Sequence, residues 1–116
     1  MLIQTILGNV TFSKEVISKI IGRTTIATKG ITGMSTGIVE GIAQRLTGNS
    51  LLGGIELKNA ENGLDIHLNI VVDYGIQIHE VCREFQRSLK ESVEQFTGLS
   101  IGAIHIQVDA VSLTAK

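Results

Sequence analysis

Residues 64–108 read LDIHLNIVVDYGIQIHEVCREFQRSLKESVEQFTGLSIGAIHIQV, and this stretch decides the fold. The segment from Leu64 to Ile70 alternates strictly between apolar and polar side chains, as a strand with one buried face does. Apolar residues at helical spacing then predict an amphipathic helix from about Ile76 to Thr97. Alternation returns in a last strand from Ile101 to Val111. This order predicts a crossover unit in which the two strands run parallel.

One apolar stripe follows the predicted helix, and charged residues occupy the opposite side. Gly98 is placed to end the helix as its C′ residue. Cys82 lies on the stripe, so we interpret it as a small buried hydrophobic residue. It is the only cysteine, so no disulfide forms within the chain and no oxidising compartment is needed. The stripe consists of Ile78, Val81, Cys82, Phe85, Leu89, Val93 and Phe96.

A β-hairpin is predicted immediately before this unit. Residues 55–58 alternate like the strand that begins at Leu64, and residues 59–63 form a loop between them in which Gly63 supplies positive φ. The strands are apolar on one face only, so helices cover that face and the other face stays open. The other face carries six polar residues that form a candidate interaction surface: Asp65, His67, Asn69, His105, Gln107 and Asp109.

The N-terminal half of the chain gives weaker patterns. Residues 2–12 are typical of one or two short strands, and a helix follows from about Lys14 to Thr28 with Ser13 as its N-cap. Residues 30–54 are rich in glycine and predict a connection that contains one short helix near residues 38–46. The predicted fold class is therefore α+β, with two layers and a three- to four-stranded mixed sheet covered by helices on one face.

Length and composition limit the possible functions. The 116 residues predict one domain spanning 1–116, and 43% apolar residues are enough for a core. A net charge of −1 and 3% aromatic residues argue against a nucleic-acid-binding surface. No run approaches the roughly 18 apolar residues of a membrane-spanning helix, and the first residues lack the basic start of a signal peptide. We therefore expect a cytoplasmic protein that does not itself span a membrane.

The two histidines of the polar face raise two chemical alternatives. His67 and His105, with Asp65 and Asp109 nearby, suit a surface zinc site, but no four ligands cluster in the sequence. We therefore expect no metal and no cofactor. The other alternative is a small enzyme with a pocket near His67 and His105, although no nucleophile and base form a recognisable catalytic motif.

A third alternative rests on Gly30-Ile31-Thr32-Gly33, which directly follows the first predicted helix. It matches the Gly-x-x-Gly loop with which KH domains clamp backbone phosphates. A nucleic-acid-binding module using Gly30 and Gly33 therefore stays open. The low positive charge around this segment counts against it.

Several short motifs occur in an order and spacing that resemble those of a known family. They are residues 8–17 (GNVTFSKEVI), 28–34 (TKGITGM), 71–75 (VVDYG), 78–81 (IHEV), 86, 93–94 (VE), 97–99 (TGL) and 104–108 (IHIQV). This pattern resembles the alkaline-shock, or general-stress, protein family of Gram-positive bacteria. The resemblance covers nearly the whole chain except residues 35–52. It implies no catalytic residues, because no enzymatic activity is established for that family.

The resemblance also implies a role linked to cell-envelope stress. Some members self-associate, and some are held at the membrane by a separate anchoring protein, so it implies a scaffold or binding module with such a partner. A homo-oligomer is expected on physical grounds too, because residues 2–7 carry no charge and the chain has no proline to blunt a strand edge. This segment either pairs within its own sheet or presents a strand to a second copy, and symmetry makes a dimer the default.

Overall fold

The computed structural model describes residues 1–35 and 54–113. Within them the chain forms two helices and six strands. The helices are α1 (Lys14–Ala27) and α2 (Ile78–Thr97). The strands are β1 (Leu2–Thr5), β2 (Gly8–Thr11), β3 (Ile31–Met34), β4 (Ile55–Ala60), β5 (Gly63–Asp73) and β6 (Ile101–Ser112). No helix in this part of the chain is long and apolar enough to cross a membrane.

β5 is the centre of a four-stranded mixed sheet. β6 runs parallel to it along one edge, from Leu64 opposite Ile101 to Asp73 opposite Ser112. β3 and β4 both pair antiparallel with β5, and because β6 occupies one edge they lie end to end along the other. The predicted crossover unit is confirmed, since α2 connects β5 to β6 and the two strands are parallel neighbours.

β5 alternates between buried and half-buried residues along its length. Its buried side chains pack with those of both helices, which therefore lie on the same face of the sheet. This confirms the predicted two-layer α+β fold with helices on one face. The core consists of Ile17, Ile21, Ile31, Leu57, Leu64, Ile66, Leu68, Ile70, Val72, Phe85, Leu89, Val93 and Leu99.

The helix ends agree with the sequence-based prediction to within two residues. Ser13 Oγ accepts a hydrogen bond from the Val16 N–H at 3.2 Å and so caps the first turn of α1. Gly98 follows the last residue of α2 with φ of 83°, and its N–H donates to the Glu94 carbonyl. A side chain there would be strained, so glycine ends this helix for the expected reason.

The buried stripe of α2 differs from the predicted one at both ends. Its middle, from Phe85 to Val93, is buried as predicted, but Phe96 is 77% exposed and Ile78 is 40% exposed. The stripe follows steps of four residues, which lead from Val93 to Thr97 rather than to Phe96. The Thr97 hydroxyl donates to the Val93 carbonyl at 2.6 Å, which satisfies this polar group inside the core.

Cys82 lies at the margin of the core rather than inside it. The side chain is half-buried and packs against the core cluster beside Val81. Burial raises the pKa of its thiol, so the neutral form is favoured. The interpretation as a small apolar residue therefore agrees with its surroundings, although full burial was the wrong expectation.

The glycine-rich segment contains a strand that the sequence analysis does not predict. Ile31–Met34 forms β3 and pairs with the last residues of β5. A four-residue strand that includes Gly33 has a weak pattern by itself, and it forms here because β4 leaves this end of the β5 edge vacant. The short helix predicted near residues 38–46 lies outside the described residues.

The β4–β5 hairpin turns more tightly than predicted. Pairing continues through Ala60 opposite Gly63, so only Glu61 and Asn62 form the turn instead of residues 59–63. Gly63 has φ of 129°, which agrees with its predicted role. The backbone there also passes close to the start of β6, since the Leu64 N–H donates to the Ser100 carbonyl at 2.8 Å.

Side chains of α2 bond to the backbone of β6 at two places. Glu94 accepts a hydrogen bond from the Ile101 N–H at 2.9 Å, and the Gln86 amide donates to the Ile104 carbonyl at 2.9 Å. The bond from Ile101, and then the neighbouring Lys90, lower the pKa of the Glu94 carboxyl. Backbone groups engaged in this way hinder pairing with a further strand, as do bulges. Bulges interrupt β6 at Gly102 and Asp109.

β1 and β2 form a separate two-stranded sheet that does not pair with the larger one. Its base is attached to the body, because Met1, Ile3 and Phe12 pack against the core and Ile3 lies beside Gly98. The prediction of short strands in this segment is confirmed. Pairing of residues 2–7 within the main sheet, the first of the two alternatives for this segment, is wrong, because β1 pairs with β2 instead.

The hairpin turns at Ile6 and Leu7. Thr5 Oγ1 accepts the Leu7 N–H and donates to the Gly8 carbonyl, both at 3.2 Å, which holds the turn without a glycine at its centre. The two turn side chains are 101% and 98% exposed. We call residues 5–8 the hairpin tip.

Candidate functional site

The polar face of the sheet, opposite the helices, carries the residues that the sequence analysis singles out. Strand register places side chains in rows: His67 lies between Glu56 and His105, and Asp65 pairs with Lys58. Side chains paired in this way have Cβ atoms about 5 Å apart and interact. We call this surface the open face, with the predicted residues Asp65, His67, Asn69, His105, Gln107 and Asp109.

The two histidines stack on each other across β5 and β6. Their ring centroids are 4.5 Å apart and their planes differ by 21°. Among the described residues, neither imidazole bonds to a carboxylate, and no group of three or more His, Cys, Asp or Glu side chains is arranged to hold a metal ion. What His67 and His105 offer is a small aromatic surface with Glu56 in the same row.

A hydrogen-bonded cluster centres on Asp109. Its Oδ1 accepts from the Gln107 amide at 2.8 Å, and its Oδ2 accepts from the Asn69 amide at 3.1 Å. Hydrogen bonds from Gln107, then Ser35 and Asn69, lower the pKa of the Asp109 carboxyl. The bulge at Asp109 brings these donors together, so the open face combines an aromatic pair with a fixed carboxylate.

We expect Asp109→Asn to reduce the dependence of stability on pH. The folded-state pKa of Asp109 is lowered, so its ionised form stabilises the fold above the unfolded pKa of about 3.9. That contribution is lost as pH falls through the lower folded-state pKa. Denaturation midpoints at neutral and acidic pH should show a wild-type advantage that shrinks on acidification. An advantage that is the same at every pH would contradict the role of the charge.

The Gly-x-x-Gly segment does not form an exposed loop. The Gly30 carbonyl accepts the Asp73 N–H at 2.9 Å, and Ile31 is 6% exposed. Gly33 pairs with Val71 inside the sheet. The backbone of this segment is thus used in β3, whereas a KH-type phosphate clamp needs an accessible loop.

A groove lies between the two helices. One part of it has a volume of about 750 Å³, with Ile20 and Phe96 as its apolar walls. It continues into a second part of about 760 Å³. We call the first part the helix groove; it is lined by Lys19, Ile20, Arg23, Thr24, Ser92, Gln95 and Phe96.

The sequence did not predict the helix groove, and it indicated residues 2–7 as an exposed strand rather than as a hairpin with an apolar tip. Phe96 has the spacing of a buried residue, since it follows Val93 by three positions. Ile6 and Leu7 form the turn of the first hairpin without a glycine at its centre, so this turn carries no strong sequence signal. The uncharged run of residues 2–7 is the signal that pointed to this region.

Comparison with known proteins adds a family match to this geometry. Residues 2–113 match the model of the alkaline-shock protein 23 family, the alkaline-shock proteins, which is described by a "cell envelope-related function". The chain is 29% identical over 114 residues to the uncharacterized protein YloU of Bacillus subtilis (strain 168), covering 97% of this chain and 95% of YloU. YqhY of the same organism is 27% identical over 112 residues, with 97% and 83% covered. Spy1614 of Streptococcus pyogenes serotype M6 is 23% identical over 111 residues, with 94% and 92% covered.

Solved structures resemble the fold. The copper form of the MamM CTD matches with a TM-score of 0.52 and 12% identity, covering 89% of this chain and 91% of that chain. Another MamM CTD structure matches with a TM-score of 0.50 and 14% identity, covering 83% and 95%. At this level of identity the likeness concerns the arrangement of helices and strands, which agrees with the α+β fold described above.

Proposed function

This chain belongs to the alkaline-shock protein family, described by a cell envelope-related function, and from that membership we propose that it is a non-enzymatic, self-associating scaffold of the bacterial cell envelope. It works on the cytoplasmic side, where a separate membrane-anchoring protein recruits it. The open face is the surface offered to that partner, because its aromatic pair and its fixed carboxylate at Asp109 suit recognition of a polar protein surface.

The hairpin tip is the observation that carries self-association. Ile6 and Leu7 are 101% and 98% exposed, so they make almost no contact with their own chain. Burying an aliphatic side chain of this size contributes about 1.5–3 kcal/mol. Two such residues lie side by side on a hydrogen-bonded turn. They can therefore make favourable apolar contacts with another chain that they do not make within their own.

The edge strand β6 and the β1–β2 hairpin are protected to different degrees against pairing with another chain. β6 has backbone groups engaged by Gln86 and Glu94 and is interrupted by bulges. The hairpin has no charged side chain between residues 1 and 13, and its tip is apolar. Edges that are uncharged and uninterrupted favour association with other chains. This contrast supports the hairpin, rather than β6, as the self-association element.

We expect a variant with Ile6→Lys and Leu7→Lys to remain folded and to lose self-association. Both side chains are solvent-exposed, so the lysines are hydrated and the fold is not disturbed. Sedimentation equilibrium over a micromolar concentration series measures the effect, with circular dichroism to verify folding. The wild type should form oligomers, and the variant should sediment as a monomer.

Ile26→Lys is the matched control, since Ile26 is an exposed aliphatic residue, 78% accessible, outside the hairpin. This variant should associate like the wild type. A wild-type protein that stays monomeric throughout the series refutes the scaffold proposal. If the lysine variant of the tip self-associates with the same affinity as the wild type, the role of the hairpin is refuted.

A further inference from the structure

The hairpin tip and the helix groove are complementary in shape and chemistry. The tip is convex and carries Ile6 and Leu7, both fully exposed. The helix groove is a wide, open depression between the helices, with Ile20 and Phe96 as apolar walls and a volume of about 750 Å³. Two aliphatic side chains can lie within a depression of this volume. The tip offers exposed aliphatic side chains, and the groove offers an open apolar surface that can receive them.

We infer that the hairpin tip of one copy docks into the helix groove of a second copy. This inference rests on the proposed self-association and names its interface. Ile6 and Leu7 fill the space beside Phe96, whose ring is 77% exposed in the single chain. The contact removes three large apolar side chains from water, which is the main favourable contribution to protein association.

The charges around the groove suit an uncharged occupant that offers hydrogen-bond acceptors. Lys19 and Arg23 line the groove, and Arg23 has no carboxylate partner among the described residues. Their apolar stems can lie against the tip while the charged groups stay hydrated. The turn also carries backbone carbonyls, which accept hydrogen bonds from cationic side chains. No charged group of the tip has to be desolvated.

The small size of the tip predicts a reciprocal contact. Stable interfaces bury about 800 Å² on each partner, more than two side chains supply. If each copy inserts its tip into the groove of the other, the contact occurs twice in one dimer. A two-fold dimer also satisfies the usual symmetry of homo-oligomers. Two weak contacts then act together, which raises the overall affinity.

A mixing experiment tests the inference directly. The tip variant (Ile6→Lys with Leu7→Lys) keeps an intact groove, and a groove variant (Phe96→Lys) keeps an intact tip. Each variant alone should be monomeric, with self-association weakened by about tenfold or more, as for removal of an interface anchor. Mixed in equal amounts, they should form a one-to-one heterodimer through the single intact pair, weaker than the wild-type dimer but stronger than the association of either variant alone. Differently labelled proteins in sedimentation velocity detect this complex.

The controls separate the inference from the proposed function. Ile26→Lys, on the helix layer but outside the helix groove, should associate like the wild type. A chain with both sets of substitutions should form no heterodimer with the tip variant. A groove variant that still assembles like the wild type overturns the inference and shows that the tip binds elsewhere, while self-association stands. A mixture that associates no more strongly than either variant alone, at concentrations well above those at which the wild type dimerises, also overturns it. A monomeric wild type overturns the proposed function itself.

Discussion

Replacing Phe85 by alanine is expected to lower the free energy of unfolding by about 3–5 kcal/mol, the range for truncating an aromatic residue in a core. Phe85 is fully buried in the middle of α2, the helix that covers the central strands. The cavity would open where the helix meets the sheet, and neighbouring side chains would close it only in part. Because domains of this size are stable by about 5–15 kcal/mol, the loss is a large share of the total.

Phe96→Ala is the matched control, since it removes the same ring from the same helix at a position that is 77% exposed. Its effect on the unfolding of the monomer, measured below the concentration at which the chain self-associates, should stay within about 0.5 kcal/mol. Urea denaturation of both variants gives the two values. Equal losses would mean that burial does not distinguish the two phenylalanines and that the register of α2 is different.

Gly63→Ala is expected to destabilise the fold by about 2–5 kcal/mol, through two separate causes. The first is conformational, because Gly63 has φ of 129°, which a residue with a Cβ rarely adopts. The second is steric, because a Cβ at this position would lie 2.5 Å from the Ser100 carbonyl oxygen. That oxygen also accepts the Leu64 N–H, so relief of the clash disturbs the junction between β5 and β6.

Gly75→Ala separates the two causes. Gly75 also has positive φ, 92°, but a Cβ there would meet nothing within 4 Å. Gly75→Ala should therefore lower the free energy of unfolding by only about 1–2 kcal/mol, through backbone strain alone. Thermal and urea denaturation of both variants measure the difference. If Gly63→Ala is no worse than Gly75→Ala, the close approach of β5 and β6 does not constrain the chain at this point.

Much of the fold follows from the pattern of residues 64–108. Strict alternation identifies β5 and β6, and the stripe through Phe85 identifies α2, because each period belongs to one kind of structure. β3 could not be predicted in this way. Its four residues have no clear period, and their pairing is decided by the part of the β5 edge that β4 leaves free.

The candidate surfaces were less accessible to sequence reasoning. Alternation puts His67 and Asn69 on one face, but it does not predict that a bulge brings the Asp109 carboxylate to the Asn69 amide. From Val93, a step of three along the helix leads to Phe96 and a step of four leads to Thr97. Both steps are compatible with a buried stripe, so the spacing does not predict that Phe96 is the exposed residue. The hairpin tip has no glycine at its two central positions, so the usual turn signal is absent from them.

The two backbone hydrogen bonds of Asn69 have a consequence for protein engineering. The Ser35 N–H donates to the Asn69 carbonyl at 2.7 Å, and the Asn69 N–H donates to the Gly54 carbonyl at 2.9 Å. Residues 35 and 54, which end the first described range and begin the second, are therefore held beside one and the same residue. Two points of a chain held this close can carry an inserted domain whose own termini are adjacent. A fluorescent reporter spliced between these two points would report on the protein in living cells while leaving both termini unmodified.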